Sequence, residues 1–203
     1  YASRGLGDVY KRQPSDLPNK TVISALDEAG APTKAYSLIQ PGDKVLVIGA
    51  SGKSGALVAY AAHKKLQGSG SIVALVLQPS HRERLRDCSF FDDILVLDAA
   101  NIPQVCASVL QDKYADYFDV VINCVNKPGT ELSALSSARQ GGTVFFATLG
   151  SDYKLAALTA ESMGKELSIV PYTGFMRNHA AFTLALLREF PEAQKFLSPY
   201  STY

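Results

Sequence analysis

The stretch Lys44-Val45-Leu46-Val47-Ile48-Gly49-Ala50-Ser51-Gly52-Lys53-Ser54-Gly55 decides how this chain is read. Lys44–Ile48 is a nearly continuous apolar run rich in β-branched residues, the pattern of a strand buried on both faces. A glycine loop closes it, and a helical pattern runs from Gly52 to Leu66. Strand, glycine turn and helix in that order form the frame of a dinucleotide-binding fingerprint. Gly49 permits the tight turn, Gly52 lets backbone approach a pyrophosphate, and Gly55 lets the helix pack on the sheet. The helix start adds free N–H groups and partial positive charge, so Ser51, Lys53 and Ser54 join the candidate phosphate site. Gly52-Lys53-Ser54 also imitates the end of a P-loop. That loop needs a glycine five positions before Gly52, where Val47 stands inside the strand, so it is two residues too short.

Outward from this centre, short apolar runs alternate with helical patterns. Strands are expected at Ile72–Leu77, Ile94–Leu97, Val120–Cys124, Thr143–Ala147 and Leu167–Pro171. Helices are expected at Thr21–Ala29, ended by Gly30 and Pro32, then at Ser80–Arg86 with Ser80 as N-cap. Further helices are expected at Pro103–Gln111, Glu131–Arg139, Leu155–Met163 and Ala180–Glu189. Strands joined by helical crossovers pair in parallel with helices on both faces. The expected fold is α/β, a doubly wound six-stranded parallel Rossmann sheet.

Composition narrows the rest. The chain has 203 residues, 47% hydrophobic and 19% charged, with a net charge of +1. That is ordinary globular usage with no basic excess to neutralise phosphates, so nucleic acid is not an expected partner. No apolar run reaches the roughly 18 residues of a membrane span, and no signal peptide is visible. The cysteines Cys88, Cys106 and Cys124 are odd in number and widely spaced. This suits reduced thiols in the cytoplasm better than a disulfide frame or a zinc site, and no metal site is expected.

Residues 1–13, YASRGLGDVYKRQ, carry neither helical nor strand periodicity, and Asp8–Gln13 reads like a translated sequencing adapter. Without its three basic residues and one acid the remainder is slightly acidic. The expectation is therefore the C-terminal part of a longer protein. Residues 14–40 form a connecting segment and helix, 41–190 a dinucleotide-binding domain, and 191–203 a tail.

The end of the second strand speaks to the cofactor. In NAD enzymes an acid there holds the adenosine ribose. Here the run is Leu77-Gln78-Pro79-Ser80-His81-Arg82, without an acid. Gln78, Ser80, His81 and Arg82 could receive a 2′-phosphate, or could be a solvated helix start; NAD and NADP both stay open. Strand-end loops line the crevice of such sheets. Cys124, Val125 and Asn126 after the fourth strand, with Thr148, Leu149 and Gly150 after the fifth, are expected to flank the nicotinamide. Asp98 approaches the adenine or caps a helix. Cys124 reads as a buried small apolar residue and not as a nucleophile. His63 is a packing or surface residue, and the aromatics at 114–118 are core. His179 begins the last helix and could face the cleft.

Together with the lead-in Pro41-Gly42-Asp43-Lys44-Val45, the loop resembles the medium-chain dehydrogenase/reductase superfamily from about residue 21 to 190. Ala25–Pro32, Gly52–Gly55, Asn123–Asn126, Gly142–Phe146, Ala156–Lys165, Gly174-Phe175 and His179-Ala180 resemble most an amino-acid dehydrogenase branch that acts in lysine degradation. Ser51 and Asn178 depart from that branch, where glycine is expected. The resemblance implies an NAD(P)-dependent oxidative deamination of a small diamino acid, with this chain as the cofactor lobe. The catalytic residues, and any catalytic metal, would lie in an N-terminal lobe, so no catalytic residue is assigned. Another alcohol dehydrogenase or quinone reductase, or a dinucleotide-sensing module without chemistry, are the alternatives.

The sixth strand, Leu167–Pro171, is short and apolar and ends in a proline that cannot donate a ladder bond, as edge strands do. The resemblance implies a homodimer through this edge. The alternative is a cover from the C-terminal segment, through Phe196, Leu197 and Tyr200.

Overall fold

Val45, Leu46, Val47 and Ile48 are fully buried, because this strand lies between two others and under helices on both sides. A computed structural model describes residues 14–109, 114, 117–172 and 174–197. The elements are α1 (Asn19–Asp27), α2 (Gly30–Leu38), β1 (Lys44–Ile48), α3 (Lys53–Leu66), β2 (Ser71–Val76), α4 (Pro79–Leu85) and β3 (Asp93–Val96). There follow α5 (Ile102–Val109), β4 (Phe118–Asn123), α6 (Glu131–Ser137), β5 (Ala138–Phe146), α7 (Tyr153–Ser162), β6 (Ser168–Val170) and α8 (His179–Glu189). A 3-10 helix covers Pro191–Phe196.

The six strands form one sheet in the order β3-β2-β1-β4-β5-β6, and every pairing is parallel. This is the doubly wound Rossmann-like order, whose winding reverses between β1 and β4. Alternation along the strands divides the core. Val45, Val47, Ala74, Ile122 and Phe145 pack with α1, α2, α3 and α8. Leu46, Ile48, Leu75, Val121 and Phe146 pack with α5, α6 and α7. No helix among the described residues is long and apolar enough to cross a membrane.

Three expectations are corrected. Gly30 and Pro32 do not end the helical region; they open α2, where proline within the first turn forfeits no helical hydrogen bond. Ala31 and Ala35 of that helix are fully buried beside α3. Ser80 does not cap α4, because Pro79 occupies the first turn and the cap falls on Gln78 without a side-chain hydrogen bond. β5 begins at Ala138, not Thr143, with a register shift opposite Phe118 and Val120.

The C-terminal segment does not cover β6 where it is described. Phe196 and Leu197 are buried with α3, where Phe196 meets Tyr60 at 6.4 Å between centroids. Tyr200, the end of the expected Pro103–Gln111 helix and residues 1–13 lie outside the described residues. β6 is the sheet edge, with Ile169 and Val170 half-buried.

Candidate functional site

The glycine loop turns between β1 and α3 directly over the β1/β4 reversal. Gly49 sits at φ +81°, in the left-handed region, and its N–H donates to Leu75 O at 2.8 Å. A Cβ there would lie 3.0 Å from Cγ2 of Val125, so the β1 loop is in close contact with the β4 loop. Gly52 is the N-cap of α3, in extended backbone. A Cβ on Gly52 would meet only Gly49 O at 3.4 Å, which leaves its other side open for a ligand. The first helical bond comes from Ala56 N to Gly52 O, so the N–H groups of residues 53–55 precede the helical ladder. Gly55 is structural: a Cβ there would fall 2.2 Å from Gly49 O.

Two cavities are lined by residues at the carboxyl ends of the strands. The first, about 270 Å³, is walled by Gly49, Ser51 and Gly52, the ends of β2 and β3, and Val125, Lys127 and Thr130 beyond β4. His81 and Arg84 are its basic residues from α4, and Asp98 reaches it from the end of β3. Asp98 Oδ1 accepts from Ala100 N at 2.9 Å, which anchors the loop rather than a helix end. Gln78, Ser80 and Arg82 are exposed and form none of the described wall.

The second cavity, about 170 Å³, is walled by Ser54, Cys124, Asn126, Ala147, Thr148 and Leu149, together with Glu28 and Tyr172. Val125 and Gly49 wall the first space, and Cys124 and Asn126, on either side of Val125 in the chain, wall the second. The sequence-derived site residues thus divide: Gly49, Ser51, Gly52 and Val125 wall one cavity, and Ser54, Cys124, Asn126, Thr148 and Leu149 the other. Gly150 lies behind them, where a Cβ would meet Asn126 Oδ1 at 2.7 Å. Arg84, Glu28 and Tyr172 escaped sequence reasoning. Arg84 was readable, being one helical turn beyond His81 on the same face of α4. Glu28 and Tyr172 reach the site only through tertiary packing.

Lys53 is neither exposed nor aimed at a phosphate. Its Nζ lies 2.8 Å from Asp27 Oδ2 and 3.2 Å from Glu28 Oε1. Burial alone would lower the ammonium pKa, but these carboxylates outweigh burial and hold it above the usual lysine range. Ser54 donates its hydroxyl hydrogen to Glu28 Oε2.

Buried polar contacts hold the two strand-end loops in place. Asn123, fully buried at the end of β4, donates to Thr130 Oγ1 at 2.8 Å and accepts from Val125 N at 3.1 Å. Thr148 Oγ1 donates to Asn126 Oδ1 at 2.9 Å and accepts from Gly150 N at 3.1 Å. Tyr153 donates to Thr148 O at 3.0 Å and accepts from Tyr172 N at 3.0 Å, drawing the chain after β6 to the same place.

Burial pushes the Cys124 thiol well above the usual cysteine range, and the Glu28 charge adds to this. At neutral pH it is a thiol, a poor nucleophile. His179 is buried; its Nδ1 lies 2.6 Å from Met176 O, and it does not wall either cavity. Asn178 before it adopts φ +63°, the reason glycine would suit that position. His63 stacks on Phe90 at 4.7 Å, and Tyr114 and Phe118 pack in the core. No group of His, Cys, Asp and Glu able to hold a metal ion occurs among the described residues.

No family model matches the chain. It is 36% identical over 181 residues to the L-erythro-3,5-diaminohexanoate dehydrogenase of Acetoanaerobium sticklandii, a match over 89% of this chain and 53% of the relative. It is 35% identical to the enzyme of the same name from Fusobacterium nucleatum, over 89% of this chain and 52% of that one. The chain spans about half the length of the curated relatives it matches. Among solved structures, a mycobacterial protein complexed with NADPH superposes with a TM-score of 0.68 at 18% identity, over 88% of this chain and 55% of that one. An alcohol dehydrogenase of Aeropyrum pernix gives 0.67 at 14% identity, over 88% and 51%. At these identities the structures show the shared fold.

Proposed function

We propose that this chain is the cofactor-binding lobe of an NAD(P)-dependent oxidoreductase that oxidatively deaminates L-erythro-3,5-diaminohexanoate to 5-amino-3-oxohexanoate. The observation that carries this is the pair of cavities at the β1/β4 reversal, both lined by residues of the glycine loop. The residues present suit a dinucleotide. The open side of Gly52 and the α3 amides suit a pyrophosphate, the larger cavity an adenosine, and the smaller one the nicotinamide. His81 and Arg84, with no acid ending β2, admit a 2′-phosphate, so NADP is accepted as well as NAD.

The substrate reading follows the named relatives. When bound, the cofactor supplies the hydride acceptor. The substrate carbon bearing the 3-amino group loses hydride and its nitrogen loses a proton, leaving an imine that water converts to the ketone and ammonia. The chain orients the dinucleotide through the Gly49–Gly55 loop, and its strand-end loops exclude water from one side of the reacting carbon. Residues 41–190 are the dinucleotide-binding unit, the setting is cytoplasmic, and a homodimer forms through β6.

Calorimetric titration with NADH and NADPH tests the reading. Saturable binding to the wild-type chain, lost in Gly52→Asp with the fold intact, supports it. Absence of binding to the folded wild-type chain overturns it.

A further inference from the structure

Glu28 is the only charged side chain in the described wall of the smaller cavity. The other wall residues are neutral: Ser54, Asn126, Thr148, Tyr172, Cys124 and the apolar Ala147 and Leu149. Glu28 is not cancelled by its neighbour. Lys53 bonds both Asp27 and Glu28, so the three side chains together keep one negative charge. Asp27 is 70% exposed, outside the cavity, whereas the Glu28 side chain is 20% exposed and walls it. Glu28 is therefore the carboxylate nearer the cavity; at Tyr172 the Asp27 charge adds to it and the Lys53 charge opposes it. The field of Glu28 extends across the space: it pushes both the Cys124 thiol and the Tyr172 phenol upward, in each case adding to burial.

The oxidised nicotinamide ring carries a positive charge that the reduced ring lacks. We propose that Glu28 is a specificity-determining residue that favours binding of the oxidised over the reduced cofactor in this cavity. This rests on the placement of the nicotinamide in the smaller cavity proposed above. A carboxylate beside a cationic ring in a half-enclosed space attracts it, and has no comparable attraction for the neutral ring. Ser54, by donating to Glu28 Oε2, holds that carboxylate against the cavity wall.

The test is equilibrium binding of four probes, NAD+, NADH, NADP+ and NADPH, to the wild-type chain, Glu28→Gln and Lys53→Met. The readout is the ratio of the dissociation constant of each oxidised form to that of its reduced partner. Effects on the pyrophosphate and adenosine contacts are common to both forms and cancel. Glu28→Gln, which keeps an acceptor for Ser54, raises the ratio about tenfold for a half-screened charge at close range. Lys53→Met leaves more negative charge and lowers the ratio, which decides the matter should Glu28→Gln fail to fold. Binding of both forms with the ratio unchanged or moved the opposite way overturns this inference and leaves the cofactor-lobe reading standing. No binding of any probe to the wild-type chain overturns both.

Discussion

The Glu131 carboxylate accepts a hydrogen bond from the Asp152 N–H at 2.8 Å, across the two loops that flank the cleft. Its other oxygen accepts from Gly129 N at 2.7 Å. The side chain is 1% exposed although it carries a charge, and it ties the loop after β4 to the start of α7. Glu131→Ala removes both bonds at once. We expect it to lower stability by about 1–2 kcal/mol, since the freed amides regain water in part. Dinucleotide affinity falls as well, because the loops lose their mutual anchor. Urea denaturation and cofactor titration check this; unaltered affinity would show that the loops are positioned without Glu131.

The glycines of the loop differ in what they tolerate. Gly55→Ala would place a Cβ 2.2 Å from Gly49 O and 2.8 Å from the Ala50 Cα, both backbone atoms that cannot swing aside. It is expected to destabilise the chain by about 3 kcal/mol, at the upper end of overpacking costs. At Gly52 a Cβ finds only one neighbour, at 3.4 Å, and ordinary extended backbone. Gly52→Ala should therefore melt close to the wild type, within about 1 kcal/mol. Equal melting losses in the two variants would contradict the assignment of Gly55 to packing and Gly52 to the ligand.

Which parts of this were legible beforehand follows from what the chain encodes locally. β1 matches its expected limits, Lys44–Ile48, because a β-branched apolar run between a Pro-Gly-Asp turn and a glycine loop admits little else. Gly30 and Pro32 were misread because a terminator of one helix and an opener of the next have the same composition. The cavity-wall residues after β1, Gly49, Ser51 and Gly52, were readable from spacing. Those of α4 were not fully so: the contiguous run Gln78, Ser80, His81 and Arg82 contributes only His81 to the wall, and helical periodicity adds Arg84 beside it. Lys53 was invisible as an ion-pair partner because Asp27 and Glu28 stand a helix, a strand and the glycine loop away in sequence.

Acid should weaken the lower end of the sheet through Asp119. Burial works to raise its pKa, but the Lys44 N–H at 2.8 Å and Arg139 at 2.5 Å outweigh it and hold the carboxyl below the usual range. A carboxyl depressed in the folded state contributes stability above its unfolded pKa and loses it as pH falls through the folded one. Asp43 runs the other way, raised chiefly by burial, and offsets part of the trend. Asp119→Asn should be less stable than wild type at pH 7, with the gap closing below about pH 4. Urea midpoints at both pH values check it; a gap that stays constant would contradict the ion-pair account.

The edge strand carries the assembly prediction. Ile169 lies in β6, which among the described residues pairs only with β5. If two copies join their sheets there, Ile169→Lys buries a charge at the seam, at a cost of several kcal/mol. Light scattering should find a wild-type dimer and an Ile169→Lys monomer. A wild-type monomer, or a dimer unaffected by the substitution, would place any contact elsewhere.

We propose that the β1/β4 reversal holds a nicotinamide dinucleotide on the glycine loop. Calorimetric titration of NADH and NADPH into the folded chain and into Gly52→Asp tests it most directly. A carboxylate at Gly52 meets the pyrophosphate with like charge where backbone must come close. The account predicts one dinucleotide per chain for the wild type, and none for a Gly52→Asp variant whose circular dichroism matches the parent. Wild-type affinity retained in Gly52→Asp, or no binding by the folded parent, would contradict it.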